Sequence, residues 1–479
     1  MFPLVEFPEL IRHYAPFFDG VFSAEAFIEF QRYISGLVVS ENKTVDGINR
    51  LFVHESRNQS SLNRLLTQSP FSLDVLNEKR LALLDSLPGT QMKSRGVLSV
   101  DDTLLTHYGR HFEQIAYLFD HAEERFVWAH NLVTIHYSDD DTDYPALFQL
   151  WKPVDLDALE KGLLAAGIKL RDSKRTLKET MPNKWRQYVI GVWRRNLKKA
   201  GVAELYDSKP QIARQLLQQW VTTHPGYKLP VAFDSWYTQP DFCHYLDATL
   251  DLPYVGALAG DEQVVLKTGT QRLADFAARL KQEHLNPERV VPSGCRVEEK
   301  GRPVFKPITI SFKGEQERYY SYWATHRLHN FGKHRLVINH RQADLSDNPV
   351  CLLSNRLHWQ APGITRIYRH RWPVEVYHEE SKEEGLDQYQ LRDFEAIERH
   401  VALVAVVYSL LRAAQHDDAL RDKLQRELKL DLEGSVPFWR RATQAQALWS
   451  LALFISAGLA RNQTLHQIMA PLLRSVCHV

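Results

Sequence analysis

Cysteine is scarce in this chain, with four residues among 479 and no C-x-x-C pair. A disulfide scaffold or a zinc finger needs closely spaced cysteines, so the sequence argues against both and fits a reducing cytosol. Composition is otherwise ordinary, and the length allows about two to four domains. The four widely separated residues are Cys243, Cys295, Cys351 and Cys477.

Long apolar runs are also missing. The longest two, Val401–Leu411 and Ala447–Ala460, are shorter than the roughly 20 residues that cross a bilayer, so both are predicted to be buried helices. The opening residues MFPLVEFPEL lack the basic segment and cleavage site of a signal peptide, so a cytoplasmic protein is expected. No G-x-x-x-x-G-K-[ST] loop occurs, and no nucleotide cofactor is expected.

A large excess of charge of either sign is absent as well, since the formal net charge is only +1. The charge is nevertheless uneven: Lys169–Lys199 contains eleven Lys or Arg against two acids, with Trp185 and Trp193 interleaved. Cations and aromatic rings together suit phosphate contact and base stacking. The alternative is a solvated helical face whose tryptophans point into a core. The candidate DNA contacts are Arg194, Arg195, Lys198 and Lys199.

The first ninety residues have helical patterns. Ser23 is a plausible N-cap for a helix over Ala24–Val38, and Thr44 and Ser61 are plausible N-caps for two shorter helices. The two short helices and their polar link carry several arginines, which allows a helix-turn-helix-like DNA module. Plain packing in a helical bundle is the alternative. The arginines are Arg50, Arg57 and Arg64.

Two carboxylates follow buried strands. Val97–Val100 ends in Asp101-Asp102-Thr103, and Leu229–Phe233 ends in Asp234. Two further strands and a run of helices separate them, which is the pattern of an α/β layer. Functional side chains of α/β proteins commonly lie at such strand ends. The intervening strands are Phe126–Tyr137 and Tyr144–Trp151, and the helices run from Asp155 to about Trp220.

A third carboxylate lies in the run IYRHRWPVEVYHEESKEEGLDQYQL. Tyr368, Arg371, Glu375 and Lys382 have the spacing Tyr-x2-Arg-x3-Glu-x6-Lys. Pro373 suits the first turn of a helix, so Glu375 is predicted in that turn with Lys382 on the same face two turns later. A simple i,i+4 ion pair between arginine and glutamate is the alternative.

Together, Asp101, Asp234 and the Tyr-Arg-Glu-Lys signature resemble the DDE transposases of bacterial insertion sequences. The resemblance covers roughly residues 90–415 and, more loosely, the helical N-terminus. It implies a ribonuclease H-like α/β catalytic core with a β-rich insertion before the glutamate, a helical N-terminal domain and a helical C-terminal region. The implied domains are 1–90 for binding DNA ends, 91–253 and 361–415 for the catalytic core, 254–360 for the insertion, and 416–479 for dimerisation.

The resemblance makes Asp101, Asp234 and Glu375 the catalytic triad and the ligands of two Mg²⁺ ions, for which Mn²⁺ can substitute. Two such ions can activate a nucleophile and stabilise a leaving oxygen. We expect Asp101 to bridge both ions, and Asp234 and Glu375 to complete one each. Asp102 is the rival for the first position. Alternation along a strand sends Asp101 and Asp102 to opposite faces, and Asp102 is then a capping or supporting group.

The remaining signature residues, Tyr368, Arg371 and Lys382, are implied to contact DNA phosphates. Trp323 and Trp359 in the insertion are candidates for stacking on a flipped base, and a core or turn role is the alternative. The implied activity is transposition: binding terminal inverted repeats, cleaving the ends and joining the 3′-hydroxyls to target DNA, in a homodimeric complex on the bacterial nucleoid. Two alternatives remain, a ribonuclease H-like nuclease without strand transfer and a catalytically silent, transposase-derived DNA-binding protein.

Overall fold

The computed structural model describes residues 3–53, 57–286 and 304–477, and the side chains up to Leu473. The N-terminal region is helical. Its helices are α1 (Glu9–Tyr14), α2 (Ala24–Val39), α3 (Val45–Asn49), α4 (Gln59–Thr67) and α5 (Leu73–Asp85).

Local hydrogen bonds start three of these helices. The Ser23 hydroxyl accepts from the Ala26 N–H at 3.3 Å, and Thr44 accepts from the Gly47 N–H at 3.1 Å, so both predicted caps are confirmed. The prediction for Ser61 is wrong. Asn58 caps α4 by accepting from the Ser60 N–H at 3.0 Å, because asparagine serves this position as well as serine does.

The arginines of this region are largely held by neighbouring acids. Arg50 pairs with Asp46, and Arg57 pairs with Glu29. The helix α3 is only five residues long, and residues 54–56 of the link lie outside the described part of the chain. These contacts favour the bundle interpretation over a helix-turn-helix module.

One twelve-stranded sheet forms the centre of the described molecule. Its catalytic part contains six strands in the order β4-β3-β1-β5-β6, with β2 also paired to β3. Strand β1 is antiparallel to β3 and parallel to β5, and β5 is parallel to β6. These strands are β1 (Val97–His107), β2 (Ala116–Asp120), β3 (Arg125–Ser138), β4 (Asp143–Trp151), β5 (Val231–Phe233) and β6 (Tyr254–Ala257).

The β-rich insertion continues the same sheet, because β12 pairs with β6 and the remaining strands follow outward. Its strands are β7 (Gln263–Leu266), β8 (Gly269–Arg272), β9 (Lys306–Phe312), β10 (Glu315–Leu328), β11 (Gly332–His340) and β12 (Val350–Ser354). Strand β6 falls within the range predicted for the insertion, but it completes the parallel core. The predicted fold class, a ribonuclease H-like α/β core with a β-rich insertion between helical ends, is confirmed.

A small helical unit separates β4 from the helix that leads into β5. It comprises α6 (Leu156–Ala165), α7 (Asp172–Arg175), α8 (Leu177–Thr180) and α9 (Pro182–Arg195), and α10 (Lys209–Thr223) follows it. These helices bury a hydrophobic cluster of their own around Trp185 and Trp193, separate from the main core. We call residues 155–206 the basic module.

The later helices cover the sheet and end the chain. They are α11 (Pro240–Ala248), α12 (Leu273–Leu285), α13 (Ala361–Arg369), α14 (Trp372–Glu383), α15 (Phe394–Gln415), α16 (Asp418–Leu428), α17 (Val436–Ala460) and α18 (Leu465–Cys477). Helix α15 is buried along nearly its whole length, which confirms that prediction for Val401–Leu411. Among the described residues, no helix has both the length and the apolar character needed to cross a bilayer.

The stretch Ala447–Ala460 is helical as predicted, but the prediction that it is buried is wrong. Several large apolar side chains of this stretch are exposed, although α18 packs against α17. The exposed residues on the two helices are Leu448, Trp449, Leu453, Leu459, Leu465 and Leu473.

A buried histidine gives the fold a pH dependence. His400 on α15 is bonded to the Tyr33 hydroxyl at 2.8 Å and the Gly385 carbonyl at 2.8 Å, and burial lowers its pKa to about 4. The folded state favours the neutral imidazole, so this contribution to stability is present above the unfolded pKa of about 6.5 and is lost as the pH falls toward 4.

We expect the free energy of unfolding to fall between pH 7.5 and 5, with His400 accounting for about 2 kcal/mol of the decrease. Urea denaturation at the two pH values measures it. His400→Gln should reduce the decrease by that amount, whereas His466→Gln, on an exposed side chain, should leave it unchanged. An equal decrease in His400→Gln and the wild type would contradict the assignment.

Candidate active site

Two consecutive helices carry the Tyr-Arg-Glu-Lys signature. Tyr368 lies near the end of α13, Arg371 occupies the N-cap of α14, and Glu375 lies in the first turn of α14. The predicted start of this helix at Pro373 is confirmed to within one residue. A carboxylate in a first turn is stabilised by the positive end of the helix dipole.

Arg371 links two of the predicted carboxylates. Its Nη1 lies 3.3 Å from Asp101 Oδ2, and its Nη2 lies 2.6 Å from Glu375 Oε1. The guanidinium also lies over the Tyr368 ring, 5.5 Å from its centroid. The i,i+4 ion pair between Arg371 and Glu375 is therefore present. The same guanidinium also binds Asp101, which is 270 positions away in the sequence.

Asp234 lies beside Asp101 because of the parallel pairing of their strands. The last register pair of β1 and β5 is Val100 with Phe233, and continuing this register by one residue places Asp101 opposite Asp234. Asp234 Oδ1 accepts the backbone N–H groups of Trp236 at 3.0 Å and Tyr237 at 3.1 Å. These bonds fix the carboxylate at the end of β5.

Negative charge is concentrated around Asp101. The pKa of Asp101 is raised to about 7, mainly by burial, with Asp102 and Asp234 raising it further and Arg371 opposing them. Burial is also the main cause of the raised pKa of Asp234. Such a cluster favours binding of a positive charge, and oxygen ligands of this kind suit a hard divalent cation.

The Asp102 carboxylate has a different set of partners from that of Asp101. It accepts from Lys209 Nζ at 2.7 Å, Asn131 Nδ2 at 2.6 Å and the Tyr237 hydroxyl at 2.9 Å. Asp101, not Asp102, is therefore the residue that shares a cation with Glu375. This arrangement supports Asp101 as the first metal ligand, which stays a prediction.

Sequence comparison agrees with this geometry. The family model described as DDE superfamily endonuclease matches residues 16–274, more than half of the chain. The chain belongs to the DDE superfamily of endonucleases. The match includes Asp101 and Asp234 and ends before Glu375, whose place beside them comes from the tertiary structure. No curated protein matches the sequence.

DDE endonucleases generally use divalent metal ions. In this DDE endonuclease, no three His, Cys, Asp or Glu side chains of the described residues lie close enough, as placed, to ligate one ion together. The Arg371 guanidinium instead lies between Asp101 and Glu375 and supplies the positive charge. The donor set fits a divalent cation chemically, because it combines three carboxylates with only one bound guanidinium.

The tryptophans predicted for base stacking are half-buried. Trp323 and Trp359 pack against the hydrophobic cluster around α13, together with Tyr368, and Trp323 Nε1 donates to Gln360 Oε1 at 2.8 Å. This favours their core role. Sequence reasoning missed Trp236 and Trp372, which are 46% and 51% exposed. The sequence could have identified them by position, since Trp236 lies two residues after Asp234 and Trp372 lies one residue after Arg371.

The basic module of this DDE endonuclease holds its two tryptophans in the interior. Trp185 and Trp193 are buried, and their indole N–H groups donate to Glu160 Oε1 at 2.7 Å and to the Val202 carbonyl at 2.9 Å. Base stacking by these two rings is therefore wrong. The four candidate cations are all exposed, and none has an ion-pair partner among the residues that the structure describes. They are Arg194, Arg195, Lys198 and Lys199.

Proposed function

We propose that this DDE endonuclease is a transposase of the Tyr-Arg-Glu-Lys subgroup, which cleaves the ends of an insertion sequence and transfers the 3′-hydroxyl strands to target DNA. The observation that carries the proposal is that Arg371 binds both Asp101 and Glu375, while Asp234 follows the neighbouring parallel strand of a ribonuclease H-like sheet. Three carboxylates from distant parts of the chain thus lie in one region of the fold, beside residues suited to hold phosphates.

In this proposal Asp101, Asp234 and Glu375 hold Mg²⁺ ions, for which Mn²⁺ substitutes. When bound, the metal supplies Lewis acidity and lowers the pKa of bound water, so no histidine base is needed. The carboxylates would close around ions that replace the Arg371 guanidinium as their positive charge. The freed guanidinium is then available to a DNA phosphate, which it can bind through two parallel hydrogen bonds.

Tyr368, Arg371 and Lys382 are proposed to position the DNA strand. The Lys382 side chain has no ion-pair partner among the described residues, and it lies on α14 two turns beyond Glu375. A lysine in that position can hold a phosphate as a point charge. The exposed Trp372 adjoins these cations and offers an aromatic face to a base.

The basic module is proposed to bind DNA outside the catalytic centre. Residues 155–206 contain twelve Lys or Arg and six Asp or Glu, whereas the whole chain has a net charge of only +1. The module is therefore strongly basic while the rest of the chain is net negative, and the module is not needed to complete the sheet. Binding of DNA ends by residues 1–90 also stays a proposal.

We expect simultaneous replacement of Arg194, Arg195, Lys198 and Lys199 by Gln to weaken DNA affinity and to flatten its salt dependence. The slope of log K against log salt should decrease by about one for each phosphate that the protein no longer neutralises. Fluorescence anisotropy of labelled duplex DNA at several salt concentrations measures both quantities.

The matched control removes four other exposed cations that have no ion-pair partner among the described residues. It replaces Lys267, Arg272, Lys333 and Lys429 by Gln, and it should keep the wild-type slope. An unchanged slope in the module variant would show that these four side chains are solvated and do not bind DNA.

A homodimer is proposed for the active complex. The exposed apolar side chains of α17 and α18 form an uncovered surface next to the folded body, and contiguous apolar surfaces of this kind commonly mark protein interfaces. A second copy of the same surface would cover it. The native mass of the protein, alone and bound to paired DNA ends, tests the proposal.

The proposed function is tested by incubating the protein with Mg²⁺, a target plasmid and a donor carrying the inverted repeats that flank its reading frame. Transposition predicts cleavage at both ends and joined donor–target products. Cleavage without joining would favour a nuclease of the same fold. DNA binding without cleavage would favour a catalytically silent DNA-binding protein, although all three carboxylates are retained.

A further inference from the structure

Asp102, the neighbour of Asp101 on β1, is held by partners that do not contact Glu375. Three donors from three elements converge on its carboxylate: Lys209 from the start of α10, Asn131 from β3 and Tyr237 from the turn after β5. The donor distances are 2.7, 2.6 and 2.9 Å. These donors occupy three of the roughly four acceptor positions of the carboxylate and fix its orientation.

Tyr237 connects this carboxylate to the turn that carries Asp234. Its hydroxyl donates to Asp102 Oδ1, and its backbone N–H donates to Asp234 Oδ1 at 3.1 Å. The ring is only 1% exposed and packs against Phe242 and Trp236. One residue is thus anchored by its side chain to β1 and by its backbone to the second predicted ligand.

The turn needs such an anchor because the sheet gives it little support. Strand β5 is only three residues long, and its pairing with β1 stops at Phe233, one residue before Asp234. A misplacement of about 1 Å at a reactive group can cost a large factor in rate. The hydrogen bonds of Tyr237 supply the restraint that the short strand does not.

We propose that Tyr237, held by Asp102 and Lys209, is a positioning residue that fixes Asp234 in the orientation needed to bind a divalent metal ion. The inference deepens the proposed function and rests on its metal site. Tyr237 itself makes no contact with metal or DNA. Its effect passes through the backbone bond to Asp234, and the ion pair with Lys209 at 2.7 Å holds the Asp102 carboxylate in place as the acceptor.

The test is Tyr237→Phe, which removes the hydroxyl and keeps the ring. Mn²⁺ binding to the full-length protein without DNA is titrated from the electron paramagnetic resonance signal of the free ion. We expect affinity to fall about tenfold, the lower end of the range for groups that orient metal ligands. The matched control, Tyr254→Phe, removes an equally buried hydroxyl that contacts His334 at 2.6 Å, and it should keep wild-type affinity.

A second variant separates positioning from general loss of structure. Asp102→Asn keeps an oxygen acceptor for Tyr237 but removes the charge, so a smaller loss of Mn²⁺ affinity is expected. Because the two groups form one hydrogen bond, the double variant should lose less than the two single effects combined. Thermal denaturation of each variant shows whether the fold is retained.

The outcomes are distinct. Equal Mn²⁺ affinity in Tyr237→Phe and Tyr254→Phe would overturn the inference and leave the proposed function standing. Mn²⁺ binding that depends on Tyr237 in a protein that never cleaves DNA would overturn the proposed function alone. Absence of Mn²⁺ binding by the wild type would overturn both.

Discussion

Asp101→Ala, Asp234→Ala and Glu375→Ala are each expected to abolish Mg²⁺-dependent DNA cleavage while leaving DNA binding largely intact. Each change deletes one of three predicted metal ligands, so the loss should exceed the roughly 10- to 100-fold effect of residues that only support a ligand. DNA affinity should persist because the cations of the basic module and of the signature remain. Cleavage of end-labelled DNA and gel-shift titration measure the two effects.

Glu379→Gln is the matched control for the glutamate. Glu379 lies on the same helix one turn after Glu375, is exposed and has no ion-pair partner among the described residues. The control variant should cleave as the wild type does. Substantial cutting by any one of the three alanine variants would remove that residue from the metal site.

The same experiment checks the choice between neighbouring aspartates. Asp102→Ala should be milder than Asp101→Ala, because Asp102 is already engaged by Lys209, Asn131 and Tyr237. If Asp102→Ala alone eliminated cleavage, the assignment would be wrong by one residue.

Asp143→Asn is expected to cause the largest loss of stability. Asp143 is 1% exposed at the start of β4, where it accepts from Arg412 of α15 at 2.9 Å and also pairs with Lys313 of the insertion. His136 and the Tyr408 hydroxyl complete its partners at 3.3 and 3.2 Å. Removing one partner of a buried ion pair costs about 3–5 kcal/mol, because the other charges stay buried and unpaired. Urea denaturation measures the loss.

The pH dependence of this loss has a defined sign. Burial alone would raise the pKa of Asp143, but Arg412, His136 and Lys313 hold it well below its ordinary value. A depressed pKa stabilises the fold above the unfolded pKa of about 3.9, and this contribution disappears as the pH falls below it. The difference between wild type and Asp143→Asn should therefore be full at pH 7 and shrink below about pH 4.

Asp141→Asn provides the comparison. Asp141 lies in the loop just before β4 but is 55% exposed, and it pairs with Lys93 at the surface. Exposed pairs contribute about 0–1 kcal/mol, so this variant should unfold nearly as the wild type does. Similar losses for the two variants would show that the loop, and not the buried charge, controls stability.

Local pattern accounted for much of the fold. The runs Val97–Val100 and Leu229–Phe233 predicted two core strands, because hydrophobic periodicity is a property of neighbouring residues. The predicted strand end at Asp101 is wrong, since β1 continues to His107. The start of α14, one residue before Pro373, could also be predicted from local sequence. Proline lacks an N–H, and this is tolerated in the first turn of a helix. The N-cap at Asn58 was missed because several adjacent residues could serve, and only the backbone course selects one.

Local sequence patterns could not predict contacts between residues that are distant in the sequence. Whether Trp185 and Trp193 face DNA or a core depends on which helices pack together, and the exposed end of α17 depends on what lies beside it. The sequence by itself determined the fold class, the three carboxylates and the Tyr-Arg-Glu-Lys spacing. Only the tertiary structure decided that Arg371 joins Asp101 to Glu375 and that Asp102 holds Tyr237. Those contacts arise because the sheet brings together segments up to 270 residues apart.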